Sequence, residues 1–493
     1  MVAPSTDLAR LMDSGDLTAA AAQMLGKMRS QLGQARRVNE KKYTLYEGRH
    51  QARNLDIAVP PHLADLEVFV GTPGIVVDVL AERIEWDGWS VLGGDSAVLD
   101  DAYRDDALDV EQARQAVDSL ICGTSFVGVG TGDADLFEPD VVVSAESPMD
   151  ATVLWDSRRR TESAGLIQRR DPVTSVVTAE VLYTPQATIT LPRGSDGRSV
   201  DVQRDTHNLG VVPMVQFPNR ERPSDIRGRS EITPPVRYAT EAIGRTLLGM
   251  EINREFYTAP QRYGLGVDPA QFGIDEHTSA GEKLVKQWNV AMSRMNFIPA
   301  PENPGDPLPQ IGQFTPAPPT PYIEQVKHYL QHVSAESAIP WNYLGFSTDN
   351  PPSAAAVRVL ESRLVKRALL RQRMWTRAWR QVAYLIMKHR DPSATFASVS
   401  GVSPNWCNPA TPTPASDADR ASKLVGSKIL DAQSKVTMRE VGISERDQKL
   451  IEQERRQGTV TKLIDRLATS PVQEVPPPPQ GAEPDLVDAN RGR

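Results

Sequence analysis

The chain has 493 residues, with 55 Lys plus Arg against 63 Asp plus Glu and a formal net charge of −8 at pH 7. At 40% hydrophobic and 24% charged residues it is long enough for several packed layers and more than one domain, while its acidic balance argues against a sequence-specific or wrapping DNA binder, which would grip phosphates through a basic surface. Two cysteines far apart in sequence, Cys122 and Cys407, offer neither a disulfide framework nor a thiolate metal cluster, and the most apolar stretch, Val68 to Leu80, is broken by Gly71, Pro73, Gly74 and Asp78 and falls short of the ~20 residues of a membrane span.

The first residues, Met1 to Asp7, lack the basic and apolar blocks of a signal peptide. A helix is expected from about Leu17 to Tyr46, then a link bearing Pro60 and Pro61, then a helix around Ile75 to Ile84. Strand-like runs follow at Ser125 to Val129, Asp140 to Ala145, Ala151 to Trp155, Ala164 to Arg169, Ala179 to Tyr183, Ala187 to Leu191 and Val212 to Phe217, punctuated by Gly and Pro. Residues 1–228 are therefore expected to form an α+β domain.

The pattern changes at Arg229. Ile232, Val236, Ala239, Ile243, Leu247 and Met250 recur at three- and four-residue spacing, which predicts an amphipathic helix to Thr258 with Thr233 as N-cap and Pro234 in its first turn. A second such helix, 321–338, carries Ile323, Val326, Tyr329, Leu330 and Val333. Between them lies a compact insert, 259–320, dense in proline in its second half. Residues 339–353 form a stiff loop: Pro340, Pro351 and Pro352 fix φ, Gly345 and Ser347 allow a bend, and Asp349 is its one formal charge. Ser353 then caps a helix over 354–390 that contains no Pro or Gly, ~55 Å long and too long for an ordinary core helix. Beyond it come an irregular stretch, Asp391 to Pro414, anchored by Trp406, and helices over Ser416 to Gln433, Ser444 to Arg456 and Thr459 to Ala468. From 470 to 493 the Pro-rich acidic sequence cannot pack a core and is expected to be disordered.

Enzyme signatures mostly fail. No Gly-x-x-x-x-Gly-Lys-Ser/Thr loop exists, Gly26-Lys27 lacks both flanking requirements, and Gly128-x-Gly130 sits among strands with no helix after it. His328 and His332 share one helix face, but the intervening Tyr329-Leu330-Gln331 supplies no carboxylate, so a solvated or inter-subunit face is expected and no metal or cofactor. Asp100-Asp101 with Asp105-Asp106 is the nearest candidate for a magnesium-binding acidic cluster, but reads better as a solvated helix start. On the long helix Arg358, Arg363, Arg367 and Arg371 belong to a basic run with one acid, Glu361; they would meet either DNA phosphates or acids of a neighbouring subunit. Trp375 and Trp379, four apart, are expected as core knobs.

Several stretches carry a resemblance in the expected order. They are Tyr46-Glu47-Gly48, Val76 to Arg83 followed by Gly88, Leu120 to Val127, Asn208 to Arg220, Gly228 to Ile232, Glu241 to Ile243, Glu255 to Arg262, Leu344-Gly345 with Asn350-Pro351 and Ser353, and Trp375 with Trp379. From about Tyr43 to Glu454 the chain resembles the portal protein of long-tailed double-stranded DNA bacteriophages.

That resemblance implies a ring subunit with an α+β wing (1–228), a two-helix stem (229–258 and 321–338), a small clip (259–320), a tunnel loop (339–353), a long strut (354–390), a helical crown (391–469) and a tail (470–493). It implies a homo-oligomeric ring, usually of about twelve copies, at one capsid vertex of the virion. Double-stranded DNA would pass through it, with Asn342, Tyr343, Phe346, Ser347, Thr348, Asp349 and Asn350 lining the tunnel. The implied partners are the terminase large subunit, head-completion or adaptor proteins, and the major capsid and scaffolding proteins, with no membrane, no covalent chemistry and no cofactor. An acidic chain suits a conduit that guides DNA without holding it. The alternatives from other classes are a magnesium-dependent packaging or recombination nuclease and a capsid scaffold without a channel.

Overall fold

The computed structural model describes residues 6–13, 17–50, 67–92, 96–133, 135, 137–194, 198–258, 262–265, 279, 310–313, 315, 317–345, 353–411, 414–443, 447–448 and 450–457. Two compact units divide at Thr411/Pro412. The first begins with α1 (Thr6–Asp13), α2 (Ala19–Tyr46) and α3 (Thr72–Ala81), followed by β1 (Trp86–Val91), α4 (Ala97–Asp105) and α5 (Leu108–Cys122). Strands β2 (Thr124–Thr131), β3 (Val141–Glu146), β4 (Ala151–Asp156), β5 (Thr161–Arg170), β6 (Val177–Tyr183), β7 (Thr188–Pro192), β8 (Gln203–Asp205) and β9 (Met214–Pro218) come next. Then follow α6 (Pro234–Thr258), β10 (Arg262–Leu265), β11 (Gln310–Gln313), α7 (Thr320–Ser337), α8 (Ala354–Arg390) and β12 (Val402–Trp406). The second unit holds α9 (Pro414–Gly426) and α10 (Lys435–Glu440).

The fold is α+β. A five-stranded antiparallel meander runs β4-β5-β6-β7-β8, and a three-stranded sheet is ordered β3-β2-β9. Alternation on the meander packs Ala164, Leu166, Leu182, Ile189 and Leu191 under Leu25, Met28 and Leu32 of α2. The larger core gathers α3, α5, β2, β3 and β9 around Leu364, Trp375, Trp379, Val382 and Leu385 of α8. Burial of one α8 face is what stabilises so long a helix, since isolated helices gain little from propensity alone.

Helix ends follow the local chemistry. Thr18 Oγ1 accepts from Ala21 N at 3.3 Å to start α2, Ser353 Oγ accepts from Ala356 N at 3.3 Å to start α8, and Thr233 receives Val236 N at 3.5 Å ahead of Pro234. Gly123 closes α5 at φ +95, where a Cβ would lie 2.9 Å from the backbone of Arg229, and Gly228 is at φ +76 with room for no side chain against Gly123 O. Asn219 N donates to Gly123 O at 2.8 Å and Arg229 N to Asn219 O at 2.6 Å, so three distant segments meet backbone to backbone.

The expected helix and strand runs recur with shifted ends, and several elements are additional. β1 pairs antiparallel with β12, Trp86 opposite Trp406 and Val91 opposite Val402, so the stretch after α8 is not wholly irregular and packs within the first unit. α4 and α5 fill a region with no expected helix beyond the start at Asp100. The helix expected over Ser416 to Gln433 stops at Gly426, and Ser434, accepting from Val436 N at 3.2 Å, caps a separate α10. Thr459 to Ala468 and 470–493 lie outside the described residues.

Candidate functional site

α6 and α7 pack along each other, and the chain between them enters and leaves through the antiparallel β10–β11 ribbon, Arg262 opposite Gln313 and Leu265 opposite Gln310. After α7, Ala338 turns at φ 59, Ile339 is buried, and Trp341–Leu344 forms a 3-10 turn with Leu344 inside and Gly345 at φ 87. Ser353 then starts α8. Of the seven residues expected to face DNA, Asn342 and Tyr343 lie in this turn and are exposed; Phe346, Ser347, Thr348, Asp349 and Asn350 lie outside the described residues. Trp341, at the start of the turn, is 40% exposed.

The turn is tied to the start of α8 by a polar cluster that no sequence pattern announced. Tyr343 OH donates to Glu361 Oε1 at 2.6 Å and accepts from Arg83 Nη2 at 2.7 Å, while the same guanidinium reaches Glu361 Oε1 at 3.1 Å. Arg83 Nη1 also donates to Pro409 O at 3.0 Å and Thr411 Oγ1 at 3.1 Å, and the Thr411 hydroxyl donates to the other Glu361 oxygen. Burial alone would raise the Glu361 carboxyl, yet the Thr411 and Tyr343 hydroxyls and the Arg83 charge hold it below the ordinary range. Burial and the neighbouring carboxylate push the Tyr343 phenol up, so it stays a donor. Tyr343 is therefore a tether that holds the 3-10 turn to α8 and Arg83 through its hydroxyl.

A second cluster sits at the middle of α8. Glu231, 1% exposed, receives Arg367 Nη2 and Arg371 Nη2, with Arg220 Nη1 at 3.6 Å and Asn219 Nδ2 donating at 3.0 Å. Asn219 Oδ1 accepts from Arg371 Nε at 3.1 Å, so the amide bridges acid and base. Burial would raise the Glu231 carboxyl, but Arg371, Arg367 and Asn219 hold it depressed. Arg363 Nη1 donates to Ala335 O at 3.1 Å, tying α8 to the end of α7, and Arg380 Nε to Val402 O at 3.0 Å. Within the subunit, then, Arg371 is buried and Arg363 and Arg367 are engaged with their own chain, whereas Arg358 lies on an exposed turn beside Val359 and Leu360.

The tryptophans are core. Trp379 stacks on Trp86 at 4.2 Å between centroids, Phe217 meets it edge-on at 5.0 Å, and Trp375 Nε1 donates to Pro218 O at 3.0 Å. The acidic run is spread over α4: Asp100 accepts from Ser96 Oγ at 2.8 Å and Asp101 pairs with Arg104, while burial, with Asp105 and Glu111 nearby, pushes Asp106 up to about 6. Among the described residues no three His, Cys, Asp or Glu converge as a metal site, and no helix is long and apolar enough to cross a membrane.

An α+β body is braced on one long helix with a buried face, and Glu231 and Glu361 tie that helix to the rest of the first unit. Comparison with known proteins identifies the family. The family of phage portal proteins of the SPP1 Gp6-like type matches residues 33–458, and the chain belongs to it. The portal proteins of Mycobacterium phage L5 and Mycobacterium phage D29 are 31% and 30% identical over 392 residues, covering 77% of this chain and 77% of each relative. Among solved structures, a chain from the neck of an empty GTA particle computed with C6 symmetry aligns at 12% identity with a TM-score of 0.42, over 76% of this chain and 90% of that one. Phage portal proteins are ring-forming components of the virion.

Proposed function

We propose that this portal protein assembles as a closed ring of about twelve copies at one capsid vertex, and that double-stranded DNA enters and later leaves the head through its centre. In this reading α6 and α7 are the stem, 259–320 is the clip that docks the terminase large subunit and then the head-completion adaptors, and 391–469 is the crown, beginning with the β12 stretch that packs on the wing. The wing, 1–228, meets the major capsid and scaffolding proteins. The protein performs no covalent chemistry and needs no cofactor.

The observation that carries the reading beyond family membership is the tether at Tyr343 and Glu361. It fixes both roots of the 346–352 segment, the 3-10 turn before it and the second turn of α8 after it, which is what a short loop needs if it is to hold position against moving DNA. The segment has a single formal charge, Asp349, so its contact with DNA is steric and polar and not a phosphate clamp.

Replacing Asn342, Phe346, Ser347, Thr348 and Asn350 together with Ala is expected to leave ring assembly intact while heads package slowly or lose DNA. Asp349→Lys is expected to impair packaging more, with the defect relieved by salt, because each subunit would add a phosphate-binding cation. Packaging assays with purified proheads read both. Wild-type packaging and retention by the five-residue variant would refute the assignment of the loop.

A further inference from the structure

His328 and His332 are both exposed on α7, and their Nε2 atoms face each other at 3.2 Å with ring centroids 4.6 Å apart and planes at 87°. Two neutral imidazoles fill such a gap in one of two ways. Either one Nε2–H donates to the other's lone pair, or both lone pairs point at a cation between them. Metal–nitrogen bonds of about 2.0–2.1 Å at tetrahedral or cis-octahedral angles set two ligand nitrogens about 2.8–3.4 Å apart on one ion. The observed separation falls within that bite.

Exposed Glu324 and Glu336 continue the same four-residue stripe on either side of the pair, while Lys327 stands beside it and Arg363 and Arg367 reach the backbone at the end of α7. Among the described residues no third His, Cys, Asp or Glu joins the pair, so those residues supply two nitrogens and water would complete the sphere. Both donors stand on one helical face a single turn apart, so once one nitrogen has bound, the second bond is intramolecular.

We propose that His328 and His332 form a bidentate chelate for a divalent late first-row transition-metal ion of the imidazole-preferring class, in the order copper above nickel and zinc. The role is structural: the bound ion staples one turn of α7. Because the ligands must be unprotonated, affinity falls as pH is lowered.

The test is titration of the untagged full-length protein with nickel chloride by isothermal calorimetry, together with thermal melts with and without nickel. Wild type is expected to take one ion per subunit and to gain melting temperature. His328→Gln and His332→Gln, both at exposed positions, should each weaken binding on the order of 100-fold by removing the chelate, and abolish the thermal gain. Cys407→Ser, which removes the exposed thiol, should leave binding unchanged. Wild-type affinity no greater than that of the double His variant, or full affinity retained by either single variant, would overturn the proposal and leave the contact as a hydrogen bond between the rings.

Discussion

Two carboxylates hold α8 to the rest of the first unit, and they do so by different chemistry. Glu231 at mid-helix is enclosed by three guanidiniums and an amide, whereas Glu361, on the second turn, is held by one guanidinium and two hydroxyls. Both are nearly inaccessible, at 1% and 2% exposure. The first site has excess positive charge, so its acid is what keeps buried arginines tolerable. The second is close to balanced, and its bonds serve to orient the turn that precedes residues 346–352. The contrast separates a stability cluster from a positioning cluster on one helix.

The largest effect is expected at the first. Glu231→Gln leaves Arg371 and Arg367 without their anion in the interior and should cost about 3–5 kcal/mol in chemical denaturation. The triple change Glu231→Leu with Arg367→Met and Arg371→Met should recover much of that loss, because it removes the desolvated charges along with their attraction. A triple variant as unstable as the single would show that the cluster acts through hydrogen-bond geometry and not charge.

A smaller effect is expected at the second. Glu361→Gln keeps one acceptor for Tyr343 or Thr411 and should cost about 1–2 kcal/mol, with Arg83 losing its ion pair. Tyr343→Phe removes one hydroxyl and should cost about 1 kcal/mol or less, yet impair packaging beyond that stability loss because the loop root is freed. Equal losses of stability at Glu231 and Glu361, or a Tyr343→Phe variant that packages like wild type, would erase the distinction between the clusters.

Acid resolves the same contrast most finely. Both carboxyls sit below the ordinary 4.5 in the folded chain, so the stability they supply is fully present above that value and is lost as pH falls through the depressed folded values. Asp106 acts in the opposite sense: raised to about 6, it favours the protonated form, so the fold loses stability as pH rises from about 4 to 6. Asp106→Asn should flatten that part of the stability profile, and Glu231→Gln the part below 4.5, in melts across pH.

How much of this was legible in sequence depends on whether the signal was local. The ends of α6 and α8 were readable because Thr233-Pro234 and Ser353 act within one turn of themselves, and Trp375 with Trp379 announced a buried face by four-residue spacing. The buried face of α5 was hidden, since Gln112, Gln115 and Ser119 interrupt its apolar rhythm and bond to residues outside the helix, as when Gln112 reaches Ile84 O at 3.0 Å and Ser119 reaches Phe217 O at 2.8 Å. β1 and β12 were unreadable because each is short, one carries Gly88 and the other Pro404, and they pair across some 300 residues of sequence. The intrachain partners of the α8 arginines were hidden for the same reason: Glu361 was the one acid on their own helix, and Glu231 lies 140 residues from Arg371. Tyr343 carries no mark in sequence of the distant Arg83 whose guanidinium its hydroxyl meets.

The central claim, a channel-forming ring with the segment after Tyr343 at its narrowest point, is tested most directly by cryo-electron microscopy of the purified full-length protein. The account predicts closed rings of about twelve subunits with a central hole, and residues 342–350 forming its tightest constriction. Monomers, rings without a hole, or a constriction formed by another segment would contradict it.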